Sequence, residues 1–370
     1  MIDMEYVEKV KKDKEKKGKK DIIMKNEEKH FIVSGDFGKY FSNLIGKELR
    51  KNDEILKMEK ELDEKENSLI RINIRTKKHD LDKGFIDKEG ENSYKIKFLD
   101  KEYIVGEQGT EKVHGTSKTH LTHQLCCYTA ITRLLEPNTT NNKIHMVIAC
   151  PSSVLKIAKS KEEYKEFMSN GGNLIEIEVD GEHYEFTIED IMVKAEGSGI
   201  VYLESDLFRN KDVAIIDLGG LNMGFGLYRN GSCKITERFT AVCGTDRLVE
   251  LVGESISEYL NGDVLTEDEN KKILDDNGVK VKGQVDEKSV VYVKKAKENY
   301  LNEIIDITKN KKIDLEKLDK IVFVGGTSLH IKDEINERYS DFAKVSSNAH
   351  VATVEGLFKV ALKRYGNILN

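Results

Sequence analysis

The chain has 370 residues, too many for one small module and suited to two domains, and its 38% hydrophobic residues can fill two cores. Charged residues reach 34%, and 60 basic against 66 acidic residues leave a formal charge of −6, which excludes a nucleic-acid binder working by bulk charge. No apolar run approaches the roughly 20 residues of a membrane span, no secretory leader follows the early lysines, and five cysteines without a CxxC pair predict reduced thiols in a cytoplasmic protein.

Residues 1–29 stand apart. The stretch Lys9–Lys20 has almost no side chain to bury, which predicts a flexible lysine-rich N-terminal arm, either a solvated tail or an electrostatic tether. At His30 the pattern changes to a short apolar strand that runs into Asp36-Phe37-Gly38. Thr119–Glu136 carries apolar residues at three-to-four spacing and predicts an amphipathic helix. Lys143–Cys150 reads as a buried strand stopped by Pro151. Ile175–Val179 and His183–Ile188 flank Asp180-Gly181, a strong two-residue hairpin signal. A strand over Ile191–Ala195 and a helix over Gly197–Phe208 follow.

The pattern then restarts. Asp212–Asp217 is an apolar strand leading into Leu218-Gly219-Gly220, and two strands, Asn222–Tyr228 and Ser232–Phe239, meet at Asn230-Gly231. Helices are expected from about Gly244 to Leu260 and over Lys288–Thr308. A strand over Lys320–Val324 enters Gly325-Gly326-Thr327-Ser328, and helices over Leu329–Tyr339 and Thr353–Tyr365 complete the run. The same order of strand, hairpin, helix, strand and helix occurs twice, and each copy opens with a strand ending in Asp-x-Gly. A duplicated α/β unit implies two sheets flanked by helices, with a site in the cleft between them.

Strand-Asp-x-Gly turns have a chemistry. Glycines let backbone N–H groups approach an anion, and an aspartate closing the strand can hold a divalent cation against phosphate oxygens. Two such turns facing each other would grip a phosphate chain from both sides. The Gly-Gly-Thr-Ser turn suits a nucleoside lying against backbone, although a helix cap explains those residues equally well.

Asp36-Phe37-Gly38, Asp217-Leu218-Gly219-Gly220 and Val324-Gly325-Gly326-Thr327 follow the order of the phosphate-1, phosphate-2 and adenosine motifs of the actin/Hsp70/sugar-kinase superfamily. Within it the chain resembles the bacterial actin-like ParM group of plasmid-segregation ATPases. Tyr103-Ile104-Val105-Gly106-Glu107, Ala149-Cys150-Pro151, Lys194-Ala195-Glu196-Gly197 and Ser347-Asn348 to Glu355-Gly356 resemble segments of that group. The resemblance implies an α/β, actin-like (duplicated ribonuclease-H-like) fold. Residues 30–195 would form domain I and 196–352 domain II, with 353–370 a helix packing back on domain I.

The resemblance also implies roles. Asp36 and Asp217 would orient Mg²⁺ through water around the phosphates of ATP or ADP, and Glu196 would position the attacking water. Gly38, Lys39, Tyr40, Gly219, Gly220, Leu221 and Asn222 would surround the phosphates. Gly325, Gly326, Thr327 and Ser328 would line the adenosine pocket, with Gly244 and Thr245 near the ribose. Where many relatives carry a phosphate-facing lysine, this chain has Asn43, and the nearby cations are Lys39 and Lys47. The implied function is an ATP-hydrolysing protein that polymerises into filaments and segregates plasmid DNA through an adaptor DNA-binding protein. It would itself make no sequence-specific DNA contact and bind no membrane. A small-molecule kinase of the same superfamily is the alternative. His114, His120 and His123 lack the spacing of a metal site.

Overall fold

The computed structural model describes residues 25–51, 54–63, 69–113, 115 and 117–369. The arm segment Lys9–Lys20 and His114 lie outside the described residues. Apolar strands flanked by turns build two sheets. The strands of the first are β1 (Lys25–Phe37), β2 (Phe41–Leu49), β3 (Ile70–Arg75), β4 (Lys77–Asp80), β5 (Ser93–Phe98), β6 (Lys101–Gly106), β7 (Glu111–Lys112), β8 (Thr139–Cys150), β9 (Ile175–Val179) and β10 (Glu182–Ala195). Their order across the sheet is β3-β2-β1-β8-β10-β9-β5-β6-β4-β7. The second sheet has β11 (Asp212–Leu218), β12 (Met223–Arg229), β13 (Arg238–Ala241), β16 (Lys320–Val324) and β17 (Ala343–Val345), in the order β13-β12-β11-β16-β17. A separate small hairpin joins β14 (Lys280–Val281) to β15 (Gln284–Val285).

Both sheets place their Asp-x-Gly strand at an equivalent point. β1 is antiparallel to β2 and parallel to β8; β11 is antiparallel to β12 and parallel to β16. Parallel neighbours on one side bring strand ends to one edge, where ligand sites of such sheets form. Each sheet has its own core. Val33, Tyr128, Met146 and Phe186 belong to the first, and Ile216, Phe225, Tyr300 and Phe323 to the second. The helix Ala352–Tyr365 covers the other face of the first sheet, with Leu357, Phe358 and Leu362 against Ile32, Ile45 and Val147. It crosses the short helix Ile200–Leu203 so closely that a Cβ on Gly356 would strike the Gly199 backbone.

Several sequence expectations need correction. Lys25–Lys29, taken with the arm, already pair with β8. Ser232–Phe239 is not a strand: a turn at Ile235–Glu237 precedes β13. Gly197–Phe208 holds one helical turn, Ile200–Leu203, and a 3-10 turn, Ser205–Leu207. The helix Leu121–Thr132 is buried from Thr122 to Thr132 instead of amphipathic, because the sheet covers one side and the helix Ala158–Met168 the other, with Tyr128 donating to the Met168 carbonyl.

Candidate functional site

The two Asp-x-Gly turns face each other across a cleft. A cavity of about 810 Å³ is lined by Asp36, Gly38 and Lys39 from the first turn, Asp217, Gly219 and Gly220 from the second, and Thr245 and Gly325–Thr327 from the helix and strand beyond. Tyr40 lines it as well. A smaller adjoining cavity of about 80 Å³ adds Leu221, Asn222, Glu196, Pro151 and Lys118. Residues far apart in sequence thus meet because both central strands end at the same cleft.

Four predicted residues do other work. Gly244 is buried under the second turn, where a Cβ would run into the Gly219 and Gly220 carbonyls. Ser328 is fully buried and donates back to the Gly325 carbonyl at 2.7 Å, so it braces the turn from inside and does not line the cleft. The Gly219 N–H donates to the Asn222 carbonyl at 3.0 Å and closes the turn on itself. Gly220 makes room for the Tyr40 ring, which a Cβ would overlap; the Tyr40 hydroxyl donates across the cleft to Asp246.

The second turn is fixed from behind. The Gly219 carbonyl accepts from the Thr245 N–H at 3.0 Å and from Thr327 Oγ1 at 3.0 Å. Thr245 and Thr327 hydroxyls lie 2.6 Å apart, and the Asp246 N–H donates to the Gly220 carbonyl at 3.0 Å. Gly325, at φ +85°, passes so near Asp217 that a Cβ would lie 2.6 Å from its Oδ1; only glycine suits both that φ and that approach.

The electrostatics are those of a crowded acidic centre. Burial pushes the Asp36 carboxyl up to about 6, Glu196 adds to the rise and Lys118 opposes it. Burial holds Asp217 well above the usual carboxylate range, with Asp36 and Glu196 adding and Lys118 opposing. Such a cluster invites a cation. Among the described residues, the three-ligand group with donor atoms all within 4.8 Å of one another lies elsewhere, at Glu176, His183 and Glu185 on β9 and β10. Asp36, Asp217 and Glu196 do not form such a group, although all three line one cavity. On the other side of the balance, Lys39 Nζ is buried without a hydrogen-bond partner among the described residues, and so is Asn222 Oδ1. Burial and the nearby Lys118 lower the Lys39 pKa. An unpartnered buried ammonium is costly unless an anion meets it, so these residues fit a phosphate-bearing ligand with a hydrated divalent cation.

Lys118 is the residue that sequence reading missed. It is 4% exposed, its Nζ lies 2.9 Å from Glu196 Oε1 and it donates to the Phe37 carbonyl at 2.8 Å. No local motif marks it, and a lysine before a helix is ordinarily solvated. Of the histidines nearby, His120 Nδ1 accepts from the Thr122 N–H, and His123 is fully buried, with neither ring nitrogen hydrogen-bonded among the described residues. All five cysteines are free, and no helix among the described residues is long and apolar enough to cross a membrane.

The family model described as the N-terminal domain of actin-like proteins matches residues 36–199. No curated protein sequence matches the chain. Among solved structures, Alp12, determined as a filament, is 40% identical over 91% of this chain and 99% of its own, with a TM-score of 0.65. An archaeal actin homologue, Ta0583, shares 14% identity over 90% of this chain and 99% of its own, with a TM-score of 0.69, and is also known in complex with ADP. A ParM of Clostridium botulinum, solved as a 15-stranded filament, shares 13% over 90% of this chain and 99% of its own at a TM-score of 0.65. These last two likenesses concern the fold. With the Alp12 identity running over nine-tenths of the sequence, the chain has the actin-like fold and belongs to the ParM/Alp group of actin-like proteins.

Proposed function

We propose that this chain binds ATP with Mg²⁺ in the cleft, hydrolyses it, and uses the cycle to build and dismantle filaments that segregate plasmid DNA through an adaptor protein in the cytoplasm. The observation that carries the reading is the convergence of both Asp-x-Gly turns and the Gly325–Thr327 turn on one cleft beside the unpartnered Lys39 ammonium. The 40% identity to a protein solved as a filament supports self-assembly, and the ADP complex of the archaeal homologue supports a nucleotide in this cleft. Kinship with plasmid-partition ATPases supports the adaptor and the DNA cargo.

In this reading Asp36 and Asp217 hold the hydrated cation, and the Gly38 and Gly220 amides with the Lys39 ammonium meet the phosphates. Gly325, Gly326, Thr327 and Thr245 face the nucleoside end. Mg²⁺, when bound, neutralises charge on the phosphates. Glu196 orients the water for in-line attack, and the rigid second turn keeps Asp217 in register with it. A protomer closed around ATP stacks head to tail on the next, a heterologous contact that propagates. Light scattering and electron micrographs of the protein with Mg²⁺ and ATP, against ADP, test this. Polymer with ATP that decays as phosphate appears is the expected result. Dispersed protein under both nucleotides, with phosphate transferred to an added sugar, would favour the kinase.

A further inference from the structure

The first turn lacks a lysine at Asn43. That side chain is neutral and already engaged: Asn43 Oδ1 accepts from Asn73 Nδ2 at 2.6 Å, and its Nδ2 donates to the His350 carbonyl at 3.4 Å. Lys118 reaches the first turn from another element, the loop before the helix Leu121–Thr132. An ammonium has three donors. Two are accounted for by Glu196 and the Phe37 carbonyl, and the side chain lines the small cavity with Asp36, Gly38, Lys39, Asp217 and Gly220. Burying it there costs desolvation, and Glu196 and Asp36 offset that cost, holding the Lys118 pKa above its ordinary value so that the ammonium keeps its charge in the cavity.

We propose that Lys118 is a second phosphate-facing cation of this chain, beside Lys39, and the positioning residue for Glu196. The inference rests on the nucleotide reading above. One ammonium then joins three parts of the site: the strand end before the first turn through Phe37, the carboxylate that orients water, and the cavity where phosphate oxygens are expected. The fixed carbonyl bond sets where Nζ sits, and Nζ in turn limits where the Glu196 carboxylate points.

The test uses the full chain with Mg²⁺ and measures equilibrium affinity for ATP, ADP and adenosine, together with kcat and KM. Lys118→Met is expected to weaken ATP and ADP binding roughly ten- to a hundredfold, the range for losing a hydrogen bond to a charged group, and to leave adenosine binding unchanged. Lys118→Arg keeps the charge but does not fit the carbonyl and the carboxylate together. It is expected to hold ATP affinity within about threefold while kcat falls at least about tenfold, because Glu196 is misplaced. Should the methionine variant not fold, Lys118→Gln carries the same comparison. Wild-type ATP affinity in Lys118→Met overturns the phosphate role, and wild-type kcat in Lys118→Arg overturns the positioning role. Equal losses for adenosine and ATP would assign Lys118 to the frame of the site and overturn both. A wild-type chain that binds none of the three ligands removes the nucleotide reading itself, a result separable from every variant outcome.

Discussion

The two central strands, β1 and β11, sit in sheets of matching order, yet their turns are built on opposite principles. Behind Asp217, four hydrogen bonds from Thr245, Asp246, Thr327 and the turn itself hold the backbone. Behind Asp36 the described partners are few, and the turn is instead surrounded by charge, with Lys39 unpartnered and Lys118 fixed on Glu196. Duplication delivers a matched pair of carboxylates; it does not deliver matched surroundings. One half supplies a rigid wall and the other supplies cations, so the site works as a complementary pair.

The comparison can be broken most decisively at the aspartates. Asp217→Asn should abolish Mg²⁺-dependent ATP binding, a loss of roughly a hundredfold or more, whereas Asp36→Asn, with Lys39 and Lys118 still in place, should lose roughly tenfold. Equal losses in a fluorescence titration would dissolve the asymmetry. The same Asp217→Asn change should raise the melting temperature of the ligand-free protein, because it removes a carboxylate charge that burial disfavours. Glu196→Ala should slow phosphate release by about a hundredfold while light scattering still detects polymer. Fast turnover in that variant would take the water-orienting role away from Glu196.

Smaller effects sharpen the contrast between wall and charge. Thr327→Val removes hydrogen bonds that only the second turn has, and chemical denaturation should register a loss of about 1–3 kcal/mol. No loss would mean that the turn is held by glycine geometry alone. In the first half, His123 is buried, and burial together with Lys118, His120 and Lys39 keeps its pKa well below the ordinary histidine value. The unfolded chain takes up this proton near pH 6.5 and the folded chain does not. The part of stability that His123 contributes is therefore full above that pH and falls below it, by about 1.4 kcal/mol per pH unit. Asp36, pushed up to about 6, titrates in the same window with the opposite sign, so the test is the difference between His123→Gln and the wild type, which should change by about 1 kcal/mol or more between denaturation at pH 7.5 and at pH 5.5.

What the sequence reveals follows physical locality. Lys320–Val324 is predicted to the residue because a buried parallel strand is a continuous apolar run. The Asp180-Gly181 hairpin is legible because both residues take positive φ, at 52° and 85°, which few residue pairs tolerate. The strands β2 to β7 are not legible for more than one reason: Ser93–Phe98 alternates lysines with apolar residues, whereas β2 is mostly buried but is interrupted by Ser42, Asn43 and Gly46. Gly244 and Ser328 illustrate the opposite error, since a motif names residues near a site without saying which way each one faces. Lys118 was invisible for a different reason. Its partner carbonyl is 81 positions away, and only the completed fold puts an ammonium beside the first turn.

The helix Ala352–Tyr365 has a consequence for how the molecule is made. Its apolar side is one wall of the core under β1, β2 and β8, so a ribosome must finish the whole second sheet before the first can be sealed. Until then Ile32, Ile45 and Val147 have nothing to cover them, and the growing polypeptide carries an open greasy surface through most of its synthesis. Assembly of the native molecule is thereby postponed until this helix has emerged from the ribosome, and the interval is one in which a chaperone has something to hold.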